Sequence, residues 1–252
     1  DGKNKKTLRF TVSIPNASIY NSTVVSPKII ADDKYRTVVL YNDVLSGVRV
    51  FSWGDLTRTK CFIRTQSAVI GHCLYGEKLV LIHNGGISVC ERSAIAAGTV
   101  SSLLYYRFER TASAATALGG YVYYTCPAAT ETQLWRMDIA SGKSTLITSF
   151  SGNADMLCTD GTALAAASKN GTVYIFSQEG KLNLKINVGE DINSLAICGD
   201  YLCTNKYVYG TASNEKLFSL KDGETVAFAT NNVLVTDYSV YDLKGRRAIA
   251  AF

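Results

Sequence analysis

A short unit recurs six times along this chain, and this repeat restricts the possible folds more than any other feature of the sequence. In each unit, two residues that favour tight turns separate two apolar runs. The turn pairs are Asp32-Asp33, Gly76-Glu77, Gly119-Gly120, Asp160-Gly161, Gly199-Asp200 and Asn231-Asn232. The second members of successive pairs lie 44, 43, 41, 39 and 32 residues apart. Such a period indicates one supersecondary unit that is stacked several times, because a single unit cannot bury its apolar face alone.

The apolar runs around the turns predict the strands of four-stranded blades. The runs before the turns are small and apolar, as expected where blades converge on a narrow centre: 29–31, 68–70, 115–118, 156–158, 195–198 and 226–229. Most runs after the turns are rich in β-branched and aromatic residues: 38–41, 79–82, 121–124, 163–166, 201–203 and 233–235. Third strands are predicted at 48–53, 87–90, 134–137, 173–176, 208–209 and 240–243, and outer strands at 60–64, 103–108, 145–150, 181–188 and 216–220.

The repeat therefore predicts an all-β fold, a single six-bladed β-propeller that occupies residues 1–252 as one domain. No window shows a convincing helical period with caps. A β-sandwich would not require one turn type at regular spacing along the whole chain. Segments 6–14 and 246–252 both have the pattern of an outer strand, and six blades need only one of them. The N-terminal strand is a candidate to close the ring, and an unused strand could pair with a partner.

Composition excludes several classes of protein. Apolar residues make up 47% and charged residues 19% of the chain, which is typical of a globular domain. No apolar run approaches the roughly 20 residues that cross a bilayer, so no integral membrane segment is expected. The net charge of +5 is modest, and we expect basic clusters such as Arg58, Lys60 and Arg64 to be solvated surface. Nucleic acid is therefore not expected as a partner.

The seven cysteines and two histidines predict neither a metal site nor a cofactor, because they lack the close pairs of structural zinc sites. An odd number of cysteines within apolar runs indicates reduced thiols that pack as small core residues. This favours a cytoplasmic or nuclear location. Glycosylation acceptor patterns begin at Asn16, Asn21 and Asn170, and they leave the secretory compartment open.

Several segments resemble the blades of WD40 repeat proteins. Asp160-Gly161-Thr162, followed by the run 170–176, resembles the first three strands of such a blade. Residues 134–138 resemble the place where the third strand of a blade turns into the fourth. The likeness covers nearly the whole chain, but the Gly-His and Trp-Asp pairs of that family are reduced to Gly71-His72 and the near match Trp53-Gly54-Asp55. The chain is thus similar to a divergent WD40-like propeller.

No motif predicts a catalytic residue. Residues 141–145 resemble the end of a phosphate-binding loop, but the glycine required five positions before Gly142 is Met137, so a polar turn is expected there. Acidic residues beside the first strands could gather at one mouth of the central channel, although they coincide with turns in which Asp is favoured. These residues are Asp32, Asp33, Glu77, Asp155, Asp160, Asp191 and Asp200.

Aromatic residues close to arginines are the candidate partner-binding residues, because both types are enriched at binding hot spots. They are Trp53, Arg58, Tyr105, Tyr106, Arg107 and Arg110. The sequence favours a non-enzymatic scaffold that binds another protein or a peptide across a propeller face or edge. Two alternatives remain open: a propeller hydrolase or small-ligand-binding domain with its site at the central channel, and a coat or pore-complex type subunit completed by a partner strand.

Overall fold

The structure, a computed structural model, describes residues 28–41, 46–100, 102–230 and 232–251. Within these residues the strands form six antiparallel sheets of four strands each. The fold is all-β with six propeller blades, as the repeat predicts. The described residues divide into two compact units, one with the residues up to Val69 and Cys90–Leu103, the other with Ile70–Val89 and the residues from Leu104 onward.

The first unit contains the first blade and the only helix within the described residues. The strands follow one another in chain order: β1 (Lys28–Asp32), β2 (Thr37–Tyr41), β3 (Gly47–Ser52) and β4 (Asp55–Arg64). Helix α1 (Arg92–Ala97) ends at Gly98, whose φ of 73° is a left-handed conformation that glycine adopts without strain. The sequence did not predict this helix, because six residues are too few to show a helical period.

The second unit contains the other five blades, apart from the last two residues of β7. Blade 2 consists of β5 (Gly71–Tyr75), β6 (Lys78–His83), β7 (Gly86–Glu91) and β8 (Leu104–Arg107). Blade 3 consists of β9 (Ala114–Leu118), β10 (Tyr121–Ala128), β11 (Glu131–Asp138) and β12 (Ser144–Ser151). Blade 4 consists of β13 (Met156–Thr159), β14 (Ala163–Ala167), β15 (Thr172–Ser177) and β16 (Leu182–Asn187). Blade 5 consists of β17 (Leu195–Cys198), β18 (Tyr201–Thr204), β19 (Tyr207–Gly210) and β20 (Lys216–Ser219). Blade 6 consists of β21 (Val226–Thr230), β22 (Val233–Thr236), β23 (Ser239–Asp242) and β24 (Arg247–Ala251).

The predicted strands agree with these bounds except at the start of blade 2. The prediction that 68–70 is a first strand is wrong, because β5 begins at Gly71 and runs directly into the turn at Gly76. In blade 6 the outer position is taken by β24, which pairs with β23. Segment 6–14, the candidate for ring closure, lies outside the described residues.

Aromatic side chains fill the space between neighbouring blades of the second unit. Between blades 3 and 4, the Phe150 ring lies 4.4 Å from Tyr174 and 5.5 Å from Phe176, measured between centroids. Between blades 2 and 3, Phe108 stacks on Tyr124 at 4.0 Å. This dense packing fixes each blade against the next, so the loops at the blade ends have defined positions.

Candidate functional site

The residue immediately before each first strand of the second unit lies at one end of a shared cavity. These residues are Ile70, Ser113, Asp155, Ser194 and Thr225. The cavity, here called the inner cavity, has a volume of about 410 Å³, and exposed Asn84 and Asn193 also line it. Its volume lies within the range of roughly 300–1,000 Å³ that is usual for ligand sites.

Backbone hydrogen bonds hold these residues in place by extending the strand ladders. The amides of Ile70 and Ser113 donate to the second strands of their own blades, to Ile82 O at 2.8 Å and to Thr125 O at 2.7 Å. The amide of Asp155 donates in the same way to Ala167 O at 3.2 Å. The lining therefore needs little ordering when a ligand binds.

Side-chain hydroxyl groups also join the loops of neighbouring blades. The Ser113 hydroxyl donates to Ala154 O at 2.9 Å, which links blade 3 to the loop before blade 4. The Ser194 hydroxyl accepts a hydrogen bond from the Val226 amide at 3.0 Å, which links the loop before blade 5 to blade 6. Two of the five residues that precede the first strands, Ser113 and Ser194, thus hold neighbouring loops of the cavity lining together.

A second cavity, here called the side groove, lies between the loops of blades 3 and 4. Its volume is about 380 Å³, and its lining includes Thr130, Asn153, Lys169 and Asn170. Asp155 lines both the side groove and the inner cavity. The two cavities thus share one acidic lining residue.

Asp155 carries a carboxylate oxygen that is buried without a hydrogen-bond donor. Its Oδ2 atom lies 3.4 Å from the Lys169 ammonium, and the Lys169 side chain is 78% exposed. Its Oδ1 atom is buried and accepts no hydrogen bond from the described part of the chain. A buried, unsatisfied carboxylate oxygen is costly, whereas the Asp155 side chain as a whole is 37% exposed, so a ligand reaches the carboxylate from its exposed side.

Two of the acidic residues near the first strands, Asp155 and Asp160, do not lie at the same mouth. Asp155 precedes β13, whereas Asp160 follows it, so the two carboxylates lie at opposite ends of the same strand. Asp160 binds a neighbouring turn instead, since its Oδ2 accepts from the Gly199 amide at 2.8 Å. The described residues contain no group of three or more His, Cys, Asp or Glu side chains that could hold a metal ion.

The thiols and the loop that resembles a phosphate site have structural surroundings. None of the seven cysteines, all of them among the described residues, is in a disulfide, and burial raises the pKa of Cys73 to about 11 and that of Cys90 to about 12. His72 and Cys73 are successive residues of β5, so their side chains point to opposite faces of the sheet. In the loop at 138–143, Asp138 Oδ1 accepts from the Ser141 amide at 2.7 Å, which is the predicted polar turn. No helix among the described residues is long and apolar enough to span a membrane.

In the first unit, Trp53 pairs with an arginine that the sequence did not single out. The Arg36 guanidinium lies over the Trp53 ring at 4.9 Å, and the Trp53 amide donates to Arg36 O at 2.9 Å. Arg58 lies farther along, exposed on β4. Trp53 thus makes a turn-to-turn contact with Arg36, and the use of Trp53 and Arg58 in partner binding stays a prediction.

In the second unit, Tyr105, Tyr106 and Arg107 lie on β8, the outer strand of blade 2. Tyr105 lies beside His83, with ring centroids 6.2 Å apart, and its burial raises the pKa of its hydroxyl. Tyr106 packs on Gly142 of blade 3 and donates its hydroxyl to Ala140 O at 3.3 Å. Arg107 and Arg110 are exposed. Their use in partner binding remains a prediction.

Replacing Tyr106 by alanine should lower the free energy of unfolding by about 2 kcal/mol, roughly half the cost of removing a fully buried aromatic side chain. The cause is the loss of packing between β8 and the loop at Gly142, where the ring leaves no room for another side chain. Urea denaturation measures the change. The matched variant Arg107→Ala, on the exposed side of the same strand, should shift it by under about 0.5 kcal/mol. Equal shifts for both variants would show that Tyr106 contributes no packing of its own.

No protein-family model matches this chain, and no curated protein matches it either. Among solved structures it is similar to the computationally designed Ika8 protein, with 16% identity and a TM-score of 0.63 over 89% of this chain and 73% of that chain. It is similar to Hsv2 of Kluyveromyces lactis, with 13% identity and a TM-score of 0.58 over 82% of this chain and 76% of that one. It is also similar to the β-propeller domain of Cps50 (Swd1) from Myceliophteria thermophila, with 11% identity and a TM-score of 0.60 over 83% and 79% of the two chains. At these identities the likeness shows the fold alone, a β-propeller.

Proposed function

We propose that this chain is a non-enzymatic binding module that holds an extended segment of another protein over the inner cavity. The observation that supports this most is the convergence of the five residues before the first strands on one cavity, together with the presence of Asp155 in the lining of the side groove as well. Two cavities that share a lining residue suit a chain-like ligand better than a single compact one, because such a ligand can extend from one cavity to the other.

The chemistry of the lining supports a peptide as the ligand. Exposed asparagines lie on both cavities: Asn84 and Asn193 on the inner cavity, Asn153 and Asn170 on the side groove. A side-chain amide both donates and accepts hydrogen bonds, as a peptide backbone requires. The hydrogen bonds that hold the residues before the first strands in place lower the entropy cost of ordering the lining when a ligand binds.

Blade 6 bears on the alternative in which a partner completes the fold. Its four strands all come from this chain, with β24 in the outer position. The blade therefore does not need a strand from another protein to reach four, and a binding site on a propeller face is the better supported reading.

Peptides selected from a phage-displayed library of random peptides on the immobilised chain should bind over the inner cavity. Thr225→Trp is the test variant, because it keeps the backbone hydrogen bonds of Thr225 with Asp237 and places an indole at the cavity. Titration calorimetry of the selected peptides should show a loss of affinity of about tenfold or more, since the indole occludes the site.

The matched control is Thr145→Trp, the same substitution at an exposed position of β12 on the outer side of blade 3. It should leave the affinity unchanged. The proposal fails if no peptide is enriched over the unfolded chain, or if the selected peptides bind both variants as tightly as the native protein.

A further inference from the structure

The Asp155 carboxylate is the chemical group that most narrows the choice of ligand for this site. Among the described residues that line the inner cavity, Asp155 is the only one that carries a charge. Its Oδ1 is buried and receives no donor from the described residues. The Asp155 side chain is nevertheless 37% exposed, so its carboxylate can accept from a cationic donor, and charge-assisted hydrogen bonds are about twice as strong as neutral ones.

We infer that Asp155 binds the basic side chain, arginine or lysine, of a bound peptide segment. This inference rests on the proposed function and names what the site selects. The planar guanidinium group of arginine carries five donors, so it can bind the exposed side of the Asp155 carboxylate and the side-chain oxygens of Asn84 or Asn193 in the same lining, and arginine is the better fit of the two.

The walls of the inner cavity fit the rest of such a side chain. Ile70, Met156, Leu157, Leu195 and Val226 line it beside the polar rim. The methylene stem of an arginine or lysine buries against apolar surface of this kind while its charged head is held elsewhere. The inner cavity thus offers an apolar wall for the stem and a carboxylate for the head.

Lys169 is positioned as a weak competitor for the same carboxylate. Its ammonium lies 3.4 Å from Asp155 Oδ2, longer than the roughly 2.7–2.9 Å of a strong charge-assisted hydrogen bond. Because the Lys169 side chain is 78% exposed, it can return to solvent when a ligand cation arrives.

The test uses fluorescein-labelled, acetylated nonapeptide pools whose central residue is arginine, lysine or citrulline, with flanks randomised among Gly, Ala and Ser. Citrulline keeps the shape of arginine without its charge. The arginine pool should bind at least about tenfold more tightly than the citrulline pool, measured by fluorescence anisotropy. Asp155→Asn, which keeps the backbone hydrogen bond to Ala167, should abolish that preference.

Two further variants separate a local contact from general electrostatics. Asp191→Asn removes an exposed carboxylate from the loop before β17 and should leave the preference for arginine intact. Lys169→Met should raise the affinity of the arginine pool about two- to threefold, since the competing ammonium is gone. This gain cannot arise from a damaged fold.

Three results would overturn the inference: no saturable binding by the arginine pool, equal binding of the arginine and citrulline pools, or a preference that survives in Asp155→Asn. Arginine amide and spermidine are tested as free cations, and binding by either as tight as that of the peptide pool would contradict a peptide-borne ligand.

If phage-selected peptides lose binding in Thr225→Trp but carry no basic residue, the proposed function stands and the role of Asp155 falls. If the selected peptides ignore Thr225→Trp, the proposed function itself falls.

Discussion

Replacing Arg92 by methionine is expected to lower the free energy of unfolding of the first unit by about 3–5 kcal/mol, the usual cost of removing one partner of a buried ion pair. Arg92 donates from Nε to Asp32 Oδ2 and from Nη2 to Asp32 Oδ1, both at 2.6 Å. The two side chains are only 11% and 5% exposed. Without Arg92, helix α1 keeps the hydrogen bond from Lys60 of β4 to Ala96 O but loses its ion pair with the first blade, and the Asp32 carboxylate remains buried without its cation.

The two tryptophans of the chain make this loss measurable within one unit. Trp53 belongs to the first unit and Trp135 to the second, so a Trp135→Phe background leaves Trp53 as the only tryptophan. Urea denaturation followed by Trp53 fluorescence then gives the free energy of unfolding. The control Asp33→Asn breaks an exposed ion pair between Asp33, whose side chain is 88% exposed, and Arg36, whose side chain is 67% exposed. It should lower the free energy of unfolding by at most about 1 kcal/mol. A loss of that small size for Arg92→Met would show that the buried pair is not stabilising.

The same ion pair makes a contribution that depends on pH. The hydrogen bonds from Arg92 lower the pKa of Asp32 below its ordinary value of 3.8, against the opposing effect of burial. A carboxyl group whose pKa is lowered in the folded state stabilises the fold above the unfolded pKa and loses this effect as the pH falls through the folded value. The difference in stability between the native chain and Arg92→Met should therefore shrink as the pH falls below about 4. A difference that stays constant down to about pH 2 would contradict this assignment.

The sequence predicted the blades well because their signals are local. Turn pairs such as Gly119-Gly120 and the runs beside them are read within a few residues, and the strands β9 and β10 lie where those runs predict. Helix α1 was missed, since nothing within its six residues reveals that Arg92 is held by Asp32, sixty positions earlier in the chain.

The candidate site was only partly predictable, because it depends on which ends of strands meet. Asp155 was among the acidic candidates, but it was grouped with Asp160, and the four residues of β13 place these two at opposite ends. One signal was present in the sequence: a polar residue stands directly before the first strand in four of the five blades of the second unit. These residues are Ser113, Asp155, Ser194 and Thr225. The pattern could have marked the rim of the inner cavity, whereas the cavity itself and the missing donor of Asp155 needed coordinates.

The partner of Trp53 shows the same limit at short range. The sequence named Trp53 and Arg58 together as candidate binding residues because they are close along the chain, and it gave no contact partner for the indole. The turn after β1 brings Arg36 onto the indole instead, and Arg36 has a positive φ of 51°, which side-chain patterns do not reveal. Proximity along the chain is thus a poor guide to cation–aromatic pairing when two hairpin turns lie on the same blade.

Replacing Phe176 by alanine is expected to lower the free energy of unfolding of the second unit by about 3–5 kcal/mol, the range for a buried aromatic side chain. Phe176 is fully buried between blades 3 and 4, where its ring lies 5.5 Å from Phe150 and 6.5 Å from Tyr174. Rings on both blades are too constrained by their neighbours to collapse into the space left behind, so most of the cavity should persist. Urea denaturation in a Trp53→Phe background, followed by Trp135 fluorescence on β11, measures the change.

The matched control for this variant is Phe228→Ala, because Phe228 lies on β21 with 52% of its surface exposed. Its truncation should shift the free energy of unfolding by under about 0.5 kcal/mol, and a larger effect than that of Phe176→Ala would contradict the packing argument.

The same pair of tryptophan reporters tests the prediction that residues 1–252 form one domain. In a single cooperative domain, Phe176→Ala lowers the midpoints reported by Trp53 and by Trp135 to the same extent. If only the Trp135 midpoint falls, the two units unfold independently and the prediction of a single domain is wrong.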